Sequence, residues 1–169
     1  MAAGQLGNTF VLIGWGRPVY EFIKILNEKK QPFKIIILTH PKKYHREDIR
    51  YFNNDKIFFN IFKLKKKNIE IIESKKITGT IIRKLRKYDI SLMISVGSKF
   101  IFKKNFIKIF KGKLINFHPS LLPEERGGAN FSYRILEKKK FSAATAHFID
   151  EKIDSGDIIF QTKRFNIKN

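Results

Sequence analysis

The sequence predicts an α/β fold: a mostly parallel, twisted sheet with helices on both faces. Three observations carry this prediction. Short apolar runs closed by Gly or Thr, namely FVLIG (10–14), FKIIILT (33–39) and ISLMISVG (90–97), suit strands buried on both faces. Segments with helical spacing of apolar residues lie between such runs. The two kinds of segment alternate along the chain, as parallel strands joined by crossover helices require. In sheets of this kind ligands bind at the carboxyl ends of the strands.

Taken in order, FVLIG is the first strand. RPVYEFIKILNEKK (17–30) then places Val19, Phe22, Ile23 and Leu26 on one helical face, with Pro18 suited to a first turn. FKIIILT is the second strand. HPKKYHREDIRYFNND (40–55) reads as a polar loop with a short helix, and its His40 and His45 as surface residues. Between residues 56 and 76 both IFFNIF and IEII are plausible strands. TGTIIRKLRKY (78–88) predicts a helix capped by Thr78. ISLMISVG is the next strand, KNFIKIF (104–110) a short helix and KLINFH (113–118) another strand. ANFSYRILEKKK (129–140) reads as a helix, and TAHFID (145–150) and GDIIFQTKRF (156–165) as two closing strands. No internal repeat or linker interrupts the series, so 169 residues form most economically one domain.

Composition narrows the class. The apolar fraction of 43%, with 17 Phe, is that of a globular protein, and no run approaches the roughly 20 apolar residues of a membrane span. MAAGQLGNTF lacks the basic start and apolar core of a signal peptide. Zero Cys excludes disulfides and thiolate metal sites and fits a cytoplasmic protein. Thirty-five Lys and Arg against 15 Asp and Glu give a net charge of +20. That charge reads either as a footprint for nucleic acid or as a solvated lysine coat. The runs KLKKK (63–67) and EKKK (137–140) lack interleaved Arg and Gly, which favours the coat. In both readings an anionic small molecule is drawn to the surface.

The chemistry concentrates in LINFHPSLLP (114–123). Asn116 and His118 are two apart, so on a strand they project from one face. Pro119 restricts His118 to extended geometry and stops the helix option at once. The segment therefore holds an amide and an imidazole side by side at a strand end. His147, alternating with apolar neighbours in TAHFID, reads alone as a hydrogen-bonded core histidine. Asp154 lies in a KIDSGD turn, where a carboxylate is either solvated or directed into a cleft. His118, His147 and a carboxylate are the donor types of an iron site, but nothing in their spacing calls for one, and no metal is expected. Gly14-Trp15-Gly16 follows the first strand as a dinucleotide loop does. The third glycine is missing, Val19 standing in its place, and the second strand ends in Thr39-His40 without an acidic residue. A turn whose backbone amides meet a substrate phosphate fits better.

Together NFHPSLLP (116–123), ERGG (125–128), TAHFID (145–150) and IDSGDII (153–159) resemble the folate-dependent formyltransferase family over roughly residues 9 to 165. The resemblance implies a Rossmann-like formyltransferase fold and 10-formyltetrahydrofolate as formyl donor. It places the family's catalytic Asn, His and Asp on Asn116, His118 and Asp154, and assigns His147 a supporting role. It places donor contacts on Ser98, Lys99, Phe100, Ile101 and Phe102, and Asp150 is expected to join them. Acceptor contacts are expected at Gly14, Gly16 and Arg17, from the glycine turn, and at Arg126 and Gly127. The chain stops soon after the last motif, where most members continue. Residues 1–169 are therefore expected to be one catalytic domain, either cut at its C-terminal side or unusually compact.

Formyl transfer to an amine develops negative charge on the formyl oxygen, so Asn116 and His118 as paired donors suit it. Loss of one such donor costs about 3 to 4 kcal/mol of transition-state stabilisation. Asp154 beside His118 suits the acceptance of the proton that the amine loses. The Arg-Gly after the proline turn and TAHFIDEKIDSGDII resemble the nucleotide-sugar N-formyltransferases, so the expected acceptor is a nucleotide-linked amino sugar. Methionyl-tRNA, glycinamide ribonucleotide and water, the last giving a formyl-folate hydrolase, are the alternative acceptors. A basic nucleic-acid-binding module is the alternative outside enzymology.

Overall fold

The computed structural model describes residues 8–28, 33–45, 61 and 67–167. They fall into two compact units that meet in sequence after Phe102. No helix among the described residues is long and apolar enough to cross a membrane.

The first unit is built on four parallel strands: β1 (Thr9–Gly14), β2 (Lys34–Thr39), β3 (Ile69–Glu73) and β4 (Ile90–Val96). Their order is β3-β2-β1-β4. The apolar runs do form strands buried on both faces: Val11, Leu12 and Ile13 of β1 and Ile36, Ile37 and Leu38 of β2 are fully buried. Helix α1 (Gly16–Glu28) starts one residue before the expected position and packs Val19 and Ile23 against Leu12, Ile35 and Ile94. Helix α2 (Gly79–Leu85) carries the expected cap, the Thr78 hydroxyl oxygen accepting from the Ile81 amide at 3.4 Å. IEII becomes β3. IFFNIF lies outside the described residues apart from Ile61, which is buried in the same core. The expected loop at 40–55 shows a 3-10 turn at Lys42–His45, and residues 46–55 are likewise outside.

One expectation fails here. His40 is not a plain surface residue: it is half-buried and stacks on Phe100 with ring centroids 4.0 Å apart. Burial, opposed by a hydrogen bond to the Lys75 backbone and aided by the Lys99 charge, pushes its pKa below the usual histidine value.

Glu70 on β3 is the electrostatic staple of this unit. It takes Lys84 at 2.7 Å, Lys34 at 3.1 Å and the Tyr88 hydroxyl at 2.9 Å. The Lys84 bond, working against burial and joined by Lys34 and Tyr88, pulls its carboxyl from 4.5 to about 2. A depressed carboxylate stabilises the fold above its unfolded pKa and loses that contribution as pH falls through the folded one. Wild-type melting temperature is therefore expected to drop between about pH 4.5 and 2, by the equivalent of about 2 to 3 kcal/mol. Glu70→Gln should be less stable at pH 7 and show a flatter profile across that window. Parallel profiles for the two proteins count against the staple.

The second unit comprises α3 (Lys104–Ile109), β5 (Leu114–His118), α4 (Asn130–Leu136), β6 (Phe141–Ser142), β7 (Thr145–Phe148), β8 (Ile158–Gln161) and β9 (Phe165–Asn166). Strands β5, β7 and β8 are antiparallel neighbours in that order, and β6 pairs with β9. The single strand expected over 156–165 is thus two. After Gln161 the chain turns, with Thr162 exchanging bonds with the Ala144 backbone, so that β9 can reach β6.

Candidate active site

The site is assembled in the second unit by a cross-strand pair and two loops. In the β5–β7 register Asn116 lies opposite His147 and His118 opposite Thr145. The period-2 rule therefore puts Asn116, His118 and His147 on one face. Opposite β7, β8 skips Ile159 between Phe160 and Ile158, a bulge that falls beside His147. The turn after β7 brings Asp154 over this face. Its backbone is left-handed at φ 48°, a conformation Asp tolerates better than most residues. Gly156 is required there, because a Cβ would fall into the Phe148 carbonyl oxygen.

The hydrogen bonds define the protonation pattern. His147 Nδ1 is 2.8 Å from the Phe148 carbonyl, which can only accept, so Nδ1 carries the proton. Its Nε2 then accepts from Asn116 Nδ2 at 3.1 Å. The second hydrogen of the same amide goes to Asp154 Oδ1 at 3.3 Å. Asp154 Oδ2 accepts the Gly127 amide at 2.9 Å and faces His118 Nδ1 at 3.4 Å. On the far side of that ring, His118 Nε2 donates to the Glu125 carbonyl at 2.7 Å. Both imidazoles are buried, and the Asp154 side chain retains 15% exposure. Among the described residues no His, Asp and Glu cluster could hold a metal ion.

Chemically this is a charged group wired to two oriented imidazoles and one amide. Asp154 and the Nδ1 edge of His118 form a proton-accepting pair. The Asn116 amide, whose bond to Asp154 is its longer one, can turn an N–H toward an oxygen that becomes negative. His147 orients that amide.

The other site residues proposed from sequence are placed as follows. Gly14 has φ 152°, and a Cβ there would run into the Val96 carbonyl, so the β1 end passes close against β4. Gly16, at φ 73°, opens α1, and Arg17 in its first turn pairs with Glu21 at 3.6 Å. Ser98 accepts the Phe100 amide at 3.1 Å. Phe100 turns inward, and Ile101 is left 83% exposed. Asp150 is engaged within its own turn by Ser155 and Lys152. Arg126 is exposed, and the Gly127 amide serves Asp154.

Three residues of this site escape the sequence reading. Asn130 holds the Gly127 carbonyl at 2.9 Å and approaches His118 Nε2 at 3.1 Å. Glu125 supplies the carbonyl that meets His118, and Arg134 pairs with the Glu125 carboxylate at 2.9 Å. The one available signal is the spacing of Asn130 and Arg134, four apart on one helical face.

Comparison with known proteins places this site in context. The sequence model of the formyl transferase family matches residues 9–168. A methionyl-tRNA formyltransferase of Borreliella afzelii is 36% identical over 116 residues, which are 68% of this chain and 36% of that protein. The chain thus spans about a third of the length of the methionyl-tRNA formyltransferases it matches. Among solved structures, a phosphoribosylglycinamide formyltransferase of Anaplasma phagocytophilum superposes with TM-score 0.71 at 20% identity, over 95% of this chain and 72% of that one. A sugar 3N-formyl transferase solved in the presence of dTDP and 5-N-formyl-THF gives TM-score 0.63 at 20% identity, over 97% and 53%. These likenesses show the shared Rossmann-like α/β fold.

Proposed function

Because the chain belongs to the formyl transferase family, we propose that it moves a formyl group from 10-formyltetrahydrofolate to a primary amine. The observation that carries this reading is the convergence of Asn116, His118 and His147 on Asp154: Asn116 hydrogen-bonds both the carboxylate and His147, and each imidazole has a ring nitrogen within 3.5 Å of a carboxylate oxygen. The donor supplies an activated formyl carbon. The chain supplies an Asn116 N–H for the oxygen that becomes negative. Asp154 and His118 Nδ1 accept the proton the amine loses and return it to the departing nitrogen. The loop after β4 suits the donor's flat ring, since Ile101 offers an exposed apolar face and Phe100 is withdrawn. Backbone groups of residues 98–102 would provide the polar contacts.

For the acceptor we favour an amino sugar on a nucleotide. The Arg126-Gly127 step and the sequence around Asp154 resemble the sugar enzymes. Its diphosphate would meet the backbone at Gly14 and Gly16 and the Arg17 side chain, close to the positive end of α1. A second reading, methionyl-tRNA, is favoured by the 36% identity to the Borreliella enzyme.

The test is a formylation assay with 10-formyltetrahydrofolate and three amines: a nucleotide-linked amino sugar, glycinamide ribonucleotide and initiator methionyl-tRNA. It is paired with melting curves in a folate analogue. Formylated sugar, and about 2.7 kcal/mol of added stability at a hundredfold excess over Kd, are expected. Formylation of tRNA that survives physiological salt would transfer the acceptor assignment, because a lysine coat alone binds with steep salt decay. No product from any amine, with an unmoved melting temperature, overturns the reading.

A further inference from the structure

We propose that Arg134 and Glu125 act as a positioning pair that sets the tautomer of His118, an inference that rests on the catalytic reading of His118 given above. The loop that leaves β5 must return Glu125 beneath the imidazole. Its carbonyl there accepts both His118 Nε2 at 2.7 Å and the Ser120 hydroxyl at 2.9 Å. Arg134 fastens both ends of that loop to α4. One guanidinium nitrogen, Nη2, donates to the Pro119 carbonyl at 2.7 Å and to Glu125 Oε2 at 2.9 Å, and Nε reaches the same Oε2 at 3.2 Å.

Arg134 is 5% exposed, so its charge must be met inside the protein, and Glu125 supplies a carboxylate for it. Burial opposes ionisation of Glu125, but Arg134 and Lys139 outweigh it and hold the carboxyl below its usual range. The pair is therefore charged on both sides at neutral pH. An ion pair needed only for stability has no reason to involve the residue whose own carbonyl meets the catalytic ring. Here the clamped side chain and the accepting carbonyl belong to one residue. With the clamp closed, Nε2 keeps the proton and Nδ1 is left facing Asp154 at 3.4 Å. With it open, the carbonyl can rotate away, and the Asn130 amide at 3.1 Å from Nε2 and the Asp154 carboxylate beside Nδ1 select the opposite tautomer.

The experiment compares the wild type with the Arg134→Met/Glu125→Leu double variant and with Arg134→Lys. Replacing both members of a buried pair by apolar residues is often neutral for stability, which isolates positioning from folding. Lysine keeps a charge for Glu125 but cannot also span to the Pro119 carbonyl. The primary readout is the long-range 1H–15N correlation pattern of the His118 ring, which reports which nitrogen is protonated. The second is kcat and KM for formyl transfer across pH.

The wild type should show the Nε2-protonated form, and the variants a shift toward the Nδ1-protonated one. Their kcat should fall by about ten- to a hundredfold, with KM within about threefold and an altered pH profile. A folded double variant with the wild-type tautomer, kcat and pH profile overturns the proposal. Should that variant fail to fold, an unchanged tautomer in Arg134→Lys overturns it. A wild-type chain without formyl transfer activity refutes the proposed reaction instead, and the ring spectra still decide the clamp.

Discussion

Asp154→Asn should lower kcat for formyl transfer by about a thousandfold while leaving the fold and folate binding intact. The substitution is nearly isosteric, and Asn tolerates the left-handed backbone at φ 48° as well as Asp does, so the turn is retained. What is lost is the charge. One terminal oxygen becomes an amino group and must point at an existing donor, either the Gly127 amide at 2.9 Å or Asn116 Nδ2 at 3.3 Å. The variant therefore breaks a bond as well as removing the proton acceptor. General-base catalysis by a positioned group contributes about 10²- to 10⁴-fold, which sets the expected scale. Steady-state turnover, circular dichroism and a folate-analogue melting shift form the measurement. Turnover within a few-fold of wild type removes Asp154 from the mechanism.

How much of this site the sequence discloses depends on how each residue acts. Asn116 and His118 are legible because their direction is dictated locally: strand periodicity puts them on one face, and Pro119 fixes where the strand stops. The cross-strand position of His147 is not local, since it requires the β5–β7 register, and alternation alone gave it only a core role. Asp154 is plain turn chemistry until its carboxylate is seen to collect Gly127 and Asn116.

Glu125 and Arg134 are harder still, for a physical reason. Glu125 meets His118 through its backbone carbonyl, and every residue type carries one. Arg134 lies next to a basic helix end, NFSYRILEKKK, where another cation is unremarkable. Its burial follows only from the return of the 119–125 loop. The same logic governs the fold. Long apolar runs such as FKIIILT disclose their strands, whereas β6 and β9, two residues each, are too short to show any period. The inward turn of Phe100 is hidden for the same reason. A segment of apolar residues says nothing about which ring turns inward, and the His40 stack decides it.

The second large effect concerns the amide and imidazole as a unit. His118→Ala is expected to cost about a thousandfold in kcat, and Asn116→Ala about a hundredfold or more, the usual scale for an oxyanion donor. The double variant should lose far less than the product of the two. The reason lies in the wiring: both side chains converge on Asp154, one on each carboxylate oxygen. Removing His118 takes away the Nδ1 that shares the accepted proton with Oδ2, 3.4 Å from it. Removing Asn116 releases His147 Nε2 and brings its lone pair to face Oδ1 at 3.5 Å without the bridging amino group. Each single loss thus already disorders the carboxylate that the other residue serves, and groups that act as one unit are strongly non-additive. His147 supplies the internal control, because His147→Gln keeps an acceptor for the Asn116 amide and should retain more activity than Asn116→Ala. Rates measured for the wild type, both singles and the double at saturating donor and acceptor complete the cycle. Strict multiplicativity would mean that Asn116 and His118 act independently, and the shared role of Asp154 would have to be abandoned.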